Sequence, residues 1–365
     1  MSREPGHPEP VAPAPAASLA DRAGRKLRAA VAGLTGGSAL RNDLVYLFIS
    51  GCARSGTNWL SALVNLHPHA VADGEFKLQW VADGVERATR NEWNVAGRVP
   101  AAGEAMRRHL SELVREAMQA GLPARPETRV LADHSPVAFV PMLSPEQARH
   151  VIIVRDGRDV LVSWTYHTLR IARPSFVLRP LRAPYQQSLS TLDGTDAALK
   201  QAARVLLLNP EWVGRYADDW ARRVTDDDQR LAGLDDATRR ACMLIRYEDV
   251  HADVDARRAD IYRLCGLDPA LAAATSQETR TAPGFATERP GKMLRKGQTG
   301  DWRNYFVRAT AEAFHARAGT ALASHDYETS DAWVHGLPES PPASGVARDT
   351  MSSVQTFSTS TIGTG

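Results

Sequence analysis

Gly51 and Gly56 frame the run Ser50-Gly-Cys-Ala-Arg-Ser-Gly-Thr-Asn-Trp59. An apolar stretch at 45–49 precedes it, and a pattern with Trp59, Leu60, Leu63 and Val64 on one helical face follows. A strand, a glycine loop and a helix start in this order hold phosphate, because successive backbone N–H groups and the positive helix end face the anion. The glycine spacing equals that of a nucleotide triphosphatase loop, which next needs Lys and then Ser or Thr for the β/γ-phosphates and magnesium. Here those positions are Thr57 and Asn58, and a cation comes earlier, at Arg54. The ligand expected at Arg54, Ser55, Gly56, Thr57 and Asn58 is a phosphate-like anion that needs no Mg²⁺, and no metal site is expected. Trp59 offers a face on which a base could stack. The plainer alternative is that the glycines make a tight turn and Trp59 is core.

A second anion site is expected further along. Arg155 ends the apolar run 150–154, and Ser163 follows eight residues later, within the first helical turns. Ligands bind α/β sheets at the carboxyl ends of strands, where an Arg fork and a hydroxyl can share one phosphate. The alternative is a surface network of Arg155, Asp156, Arg158 and Asp159, which suits Arg158 better than Arg155. Near the other end stands Arg295-Lys-Gly-Gln-Thr-Gly-Asp-Trp-Arg-Asn304. Adjacent cations and two glycines make a mobile basic loop that can close over a phosphate through Arg295, Lys296 and Gly297. A merely solvated basic loop would leave Gly300-Asp-Trp302 unexplained.

These groups need a scaffold. Four apolar runs read as buried strands: 45–49, 129–132, 150–154 and 243–247. Helical patterns lie between them at 57–66, 106–118 and 211–231. Continuous apolar strands alternating with helices predict an α/β fold with a parallel sheet covered on both faces. Composition agrees, with 43% hydrophobic and 24% charged residues. Lys+Arg 44 against Asp+Glu 42 leaves a net charge of +2, too small to pull the whole chain toward nucleic acid or an acidic membrane. Three cysteines are too few for a disulfide framework or a four-cysteine zinc site, and a reducing compartment is expected. No apolar run is long enough to span a bilayer, and the N-terminus lacks the pattern of a signal peptide, so a cytoplasmic location is expected. Residues 1–40, with five prolines in the first fifteen positions, read as disordered apart from a short basic helix over Leu19–Leu34. The folded body is expected over 41–330. Residues 331–365 are expected to be a tail, since 336–365 holds 11 Ser or Thr and no apolar period.

The loop at 50–59 resembles the phosphosulfate-binding loop of sulfotransferases, which use 3′-phosphoadenosine 5′-phosphosulfate (PAPS) on a P-loop-kinase-like fold. Arg54-Ser-Gly-Thr57, with a helix ending in His67-Pro68, is most similar to tyrosylprotein and bacterial members; cytosolic members usually carry Lys where Arg54 stands. Arg155 with Ser163 is similar to the family's 3′-phosphate motif. Tyr247-Glu-Asp249 is similar to a motif whose tyrosine lies at the adenine, and Arg295-Lys-Gly…Gly-Asp-Trp302 resembles a signature that holds the 3′-phosphate. The four motifs occur in the family's order across residues 45–304. The resemblance implies a PAPS-dependent transferase without a metal, acting on a hydroxyl acceptor. A small alcohol or phenol is favoured, and a glycan or a peptide tyrosine stays open. A P-loop kinase using ATP and a catalytically silent nucleotide-binding protein are the alternatives.

The resemblance also implies a base. His134-Ser-Pro136 matches the His-x-Pro that supplies the catalytic histidine in cytosolic members, and a neutral imidazole suits the task near pH 7. The lysine usual two residues earlier is Ala132 here. Tyrosylprotein members use a glutamate placed after the His-Pro, which Glu75 matches. His134 is favoured, Glu75 is its rival, and Arg54 would stabilise the leaving phosphate. Residues 166–209, with Phe176 and Tyr185, are expected to shape the acceptor pocket.

Overall fold

The computed structural model describes residues 40–274 and 297–340. They fall into two compact units, one of residues 40–154 with 229–274 and the other of residues 155–228 with 297–340.

The first unit holds a five-stranded parallel sheet of order β2-β3-β1-β4-β5. The strands are β1 (Val45–Gly51), β2 (Ala70–Gly74), β3 (Val130–His134), β4 (Ala148–Val154) and β5 (Cys242–Arg246). The sequence foretold four of the five, and β1 and β4 each run two residues longer than expected. β3 is shifted: its ladder continues through Asp133 and His134, which pair with Phe48 and Ile49 of β1. His134 is therefore the last residue of a strand, not a loop residue after one. From β1 the chain moves to one side to form β2 and β3, then crosses to form β4 and β5. The carboxyl end of β1 thus lies where the strand order reverses, the usual ligand position in open α/β sheets.

Helix α1 (Thr57–Val64) follows β1 directly and buries Trp59, Leu60, Leu63 and Val64, the face that the sequence pattern marked. Helices α2 (Leu78–Arg90) and α3 (Pro100–Gly121) follow β2. Val114 and Met118 of α3 pack with Tyr46 and Phe48 of β1 and Leu131 of β3 in one apolar cluster. Alternate residues of a strand share a face, so Tyr46 and Phe48 commit one side of β1 to this layer.

In the second unit, α4 (Gly157–Ile171) begins just after Arg155. It is followed by α5 (Arg182–Leu189), α6 (Asp196–Leu207) and α7, which starts at Pro210. Tyr185 is buried here, its hydroxyl donating to Thr168 O at 2.7 Å and its ring stacked on Trp212. It is packed in the core of this unit, whereas Phe176 is exposed. Helix α8 (Arg308–Ser324) and a helical turn at Ala332–His335 complete this unit. That turn lies in the stretch expected to be tail, and it is held because Val334 is buried and Trp333 meets Trp302 edge-on. Residues 341–365 of the expected tail and residues 1–39 of the N-terminal segment lie outside the described residues.

Among the described residues no helix is long and apolar enough to cross a membrane. Among them, too, no group of three or more His, Cys, Asp or Glu could hold a metal ion.

Candidate functional site

The glycine loop leaves β1 through three residues with positive φ: Gly51 at 149°, Arg54 at 74° and Gly56 at 107°. A side chain at Gly51 would place Cβ 2.3 Å from the backbone oxygen of Ile153, and one at Gly56 would sit 2.8 Å from Cδ2 of Tyr247. Both positions therefore need glycine for space as well as for φ. Arg54 has neither excuse. Strain of this kind gathers at ligand sites, where the surroundings hold it in place. Gly56 is the N-cap of α1 and gives no side-chain cap to the helix amides, which leaves that end of the helix open to an anion. The hydroxyls of Ser50 and Ser55 are buried and have no hydrogen-bond partner among the described residues. A buried polar group left so costs about 1–3 kcal/mol, and an anion seated in the loop would relieve that cost. Residues 50–58 therefore fit a phosphate-like group. Ser50 was not singled out in the sequence; its place at the strand end, one residue before Gly51, was the available signal.

Trp59 and Tyr247 pack on each other with centroids 5.2 Å apart, and each is only 2% exposed. Trp59 is a packing residue of α1 here and shows no open face for a base. Tyr247 opens a short helix, Tyr247–Ala252, and its ring lies against Gly56.

The base candidates sit at the carboxyl ends of the neighbouring strands. His134 closes β3 beside Ile49 of β1, and Glu75 follows the last residue of β2. Since β2, β3 and β1 are parallel neighbours about 4.8 Å apart, Glu75, His134 and the glycine loop emerge along one edge of the sheet. His134 is half-buried and Glu75 is exposed, with Lys77 Nζ 3.3 Å from Glu75 Oε1. The exposed ring of Trp80 lies 5.1 Å from the same ammonium.

Between the two candidates lies a residue that the sequence reading passed over. Asp133 is fully buried. Its Oδ1 accepts from Phe76 N–H at 2.9 Å, and Ser135 Oγ donates to its two oxygens at 3.1 and 3.0 Å. Burial pushes this carboxyl up to about 6, with nearby Glu75 adding to the effect. The native state therefore keeps a proton that the unfolded chain releases between pH values of about 4 and 6. Stability falls as pH rises through that window and stays lowered above it. Asp133→Asn keeps an acceptor for Phe76 N–H and cannot ionise. Its urea stability relative to the parent is expected to improve from pH 4.5 to about 6 and to level off above that. A difference independent of pH would refute this origin.

In the second unit Arg155 is buried, and its Nη2 donates to Gln298 O at 2.9 Å. Asp159 accepts from Gly300 N–H at 2.6 Å and from Trp302 N–H at 3.0 Å. Burial raises its carboxyl while Arg155 pulls the other way. The Gly300-Asp-Trp302 motif is thus accounted for: its backbone is tied to Asp159, on the first turn of α4. Ser163 is buried on the same helix. Arg158 proves to be structural. It is 1% exposed and is bonded to Asp156 at 2.8–3.2 Å and to Glu328 at 2.6 Å. The rings of Trp302 and Trp333 lie 3.9 and 4.5 Å from its guanidinium carbon. The network weighed against a phosphate role exists around Arg158, with Arg155 joined to it electrostatically through Asp159. Gly297 is the first described residue of its loop; Arg295 and Lys296 lie outside the described residues.

Comparison with known proteins now bears on these features. The chain is 26% identical to human sulfotransferase 2B1 over 216 residues, which cover 53% of this chain and 50% of that protein. The mouse counterpart is 24% identical over 211 residues, covering 52% and 53%. The chain thus spans about half the length of the curated relatives it matches. Among solved structures, the sulfotransferase domain from the curacin biosynthetic pathway aligns at 11% identity and TM-score 0.43, over 78% of this chain and 98% of that one. Mouse sulfotransferase SULT7A1 complexed with PAP aligns at 16% identity and TM-score 0.39, over 80% and 88%. The sulfotransferase domain model matches residues 46–325, more than half of the chain and every strand described above except the first residue of β1, and the chain belongs to the sulfotransferase domain family.

Proposed function

We propose that this protein transfers the sulfuryl group of PAPS to a hydroxyl acceptor, with a small alcohol or phenol as the acceptor class. The observation that carries the reading is the loop at 50–58. Its three positive-φ residues and two orphaned buried hydroxyls form an anion seat, yet the lysine and hydroxyl that a triphosphate with magnesium would need are replaced by Thr57 and Asn58.

Arg54, Ser55, Gly56, Thr57 and Asn58 hold the phosphosulfate end. Arg155, Ser163 and the Arg295-Lys296-Gly297 loop take the 3′-phosphate. The motif at Tyr247 puts that residue next to the adenine, where its ring is packed on Trp59. His134 or Glu75 removes the acceptor proton as the acceptor oxygen bonds to sulfur. The bond from sulfur to the 5′-phosphate oxygen breaks, and Arg54 with the loop amides receives the charge that develops on that oxygen. Positioning supplies much of the acceleration, because donor and acceptor are held in line. The exposed Trp80 ring near Glu75 supports an apolar or aromatic acceptor. A cytoplasmic location, the expectation drawn from the apolar runs and the N-terminal pattern, belongs to this proposal.

The test is a transfer assay with ³⁵S-labelled PAPS and a panel of phenols, aliphatic alcohols, sugars and tyrosine peptides. Label is expected in a phenol or alcohol. Binding of PAP without transfer to any acceptor would overturn the proposal in favour of a silent nucleotide-binding protein. Label only on sugars or peptides would overturn the acceptor class.

A further inference from the structure

The turn from β2 to α2 carries Glu75 and Lys77, and its backbone is not relaxed. Lys77 has φ 57° and serves as the N-cap of α2 without a side-chain cap. A side chain that is not glycine reaches this left-handed region at a cost, so neighbouring contacts must hold it there. Those contacts come from the end of β3. Lys77 N–H donates to Ser135 Oγ at 3.0 Å, Ser135 Oγ donates to the Asp133 carboxylate, and the same carboxylate accepts from Phe76 N–H at 2.9 Å. Asp133 and Ser135 are both fully buried.

The connection is direct. Two consecutive amides, of Phe76 and Lys77, are bonded to two side chains that stand on either side of His134. The turn bearing one base candidate is thereby fastened to the strand end bearing the other. The ladder between β2 and β3 does not do this alone, since its register shifts between Val71 and Gly74.

We propose that Asp133 and Ser135 are positioning residues that clamp the Glu75–Lys77 turn against the end of β3, fixing Glu75 and His134 in one constellation toward the acceptor. This rests on the sulfuryl-transfer reading above. The clamp acts on the acceptor side of the reaction and not on the nucleotide. Its loss should therefore lower kcat without weakening the donor. Small displacements of reacting groups cost one to two orders of magnitude in rate.

Ser135→Ala deletes one oxygen and creates no new bulk. Hydrogen exchange by mass spectrometry is expected to show faster deuterium uptake confined to residues 75–79. kcat is expected to fall about tenfold or more, with the KM for PAPS and the Kd for PAP within about twofold of the parent. Asp133→Ala, which removes the acceptor of both the Phe76 amide and the Ser135 hydroxyl, is expected to show the same pattern more strongly. Unchanged uptake at 75–79 would overturn the clamp. An unchanged kcat, or a PAP affinity that falls in step with kcat, would overturn its positioning role. A parent protein that transfers no sulfate would sink the activity itself, and the exchange experiment would still decide whether the clamp exists.

Discussion

Alanine at His134 is expected to lower sulfuryl transfer by about 10²–10⁴-fold, the range that one positioned general base supplies. The affinity for PAP should stay within about twofold. His134 closes β3 next to Ile49, one residue before Ser50 and the glycine loop, so under the proposed reaction it would flank the donor without being part of its seat. Glu75→Ala is expected to cost less, because Glu75 is exposed and shares its charge with Lys77. The measurement is kcat for both variants after PAP binding has been confirmed by calorimetry. A near-normal kcat in His134→Ala, with a collapse in Glu75→Ala, would transfer the role to the carboxylate. Loss in both would mean that the two act together.

The second large effect is expected at Arg155. Arg155→Ala should weaken PAP by about 10–100-fold, as expected for losing a charge-assisted bond to a phosphate. AMP, which lacks the 3′-phosphate, should lose no more than a few-fold. The contrast matters because the guanidinium also helps hold its own unit together. It donates to Gln298 O and lies electrostatically against Asp159, which in turn anchors Gly300 and Trp302. Some loss of thermal stability will therefore accompany the substitution. An unfolding midpoint measured alongside both affinities separates the two consequences. Equal losses for the two nucleotides would place the 3′-phosphate elsewhere.

What the sequence could tell depended on how local the cause was. β1 and β4 were legible because both faces are covered and nearly every residue is apolar. β2 was missed because Ala70-Val-Ala-Asp-Gly74 has one β-branched residue and ends in types that strands disfavour. Only its pairing with β3 makes it a strand, and that pairing spans about sixty residues of chain. The glycine loop could be recognised as a loop between strand and helix because it is a single short run, but the buried hydroxyl of Ser50 at its start could not. Asp133 was passed over because its meaning depends on Phe76, a distant residue. From the sequence Arg158 suits a surface network with Arg155, Asp156 and Asp159, since nothing near it in the chain foretells Trp302 and Trp333 closing over its guanidinium. Trp59 was left open between stacking platform and core, and the answer lay in Tyr247, almost two hundred residues downstream.

The strand order has a consequence for how the chain comes into being on a ribosome. β1 is made first, yet its two neighbours in the sheet are β3 and β4, synthesised some eighty to a hundred residues later. Until they emerge, the segment proposed to grip the donor has no lateral support, and closing such long loops is slow and entropically costly. A nascent chain halted before residue 154 should therefore be blind to nucleotide, and donor in the surrounding fluid can stabilise this protein only once the middle of the sheet has been zipped together.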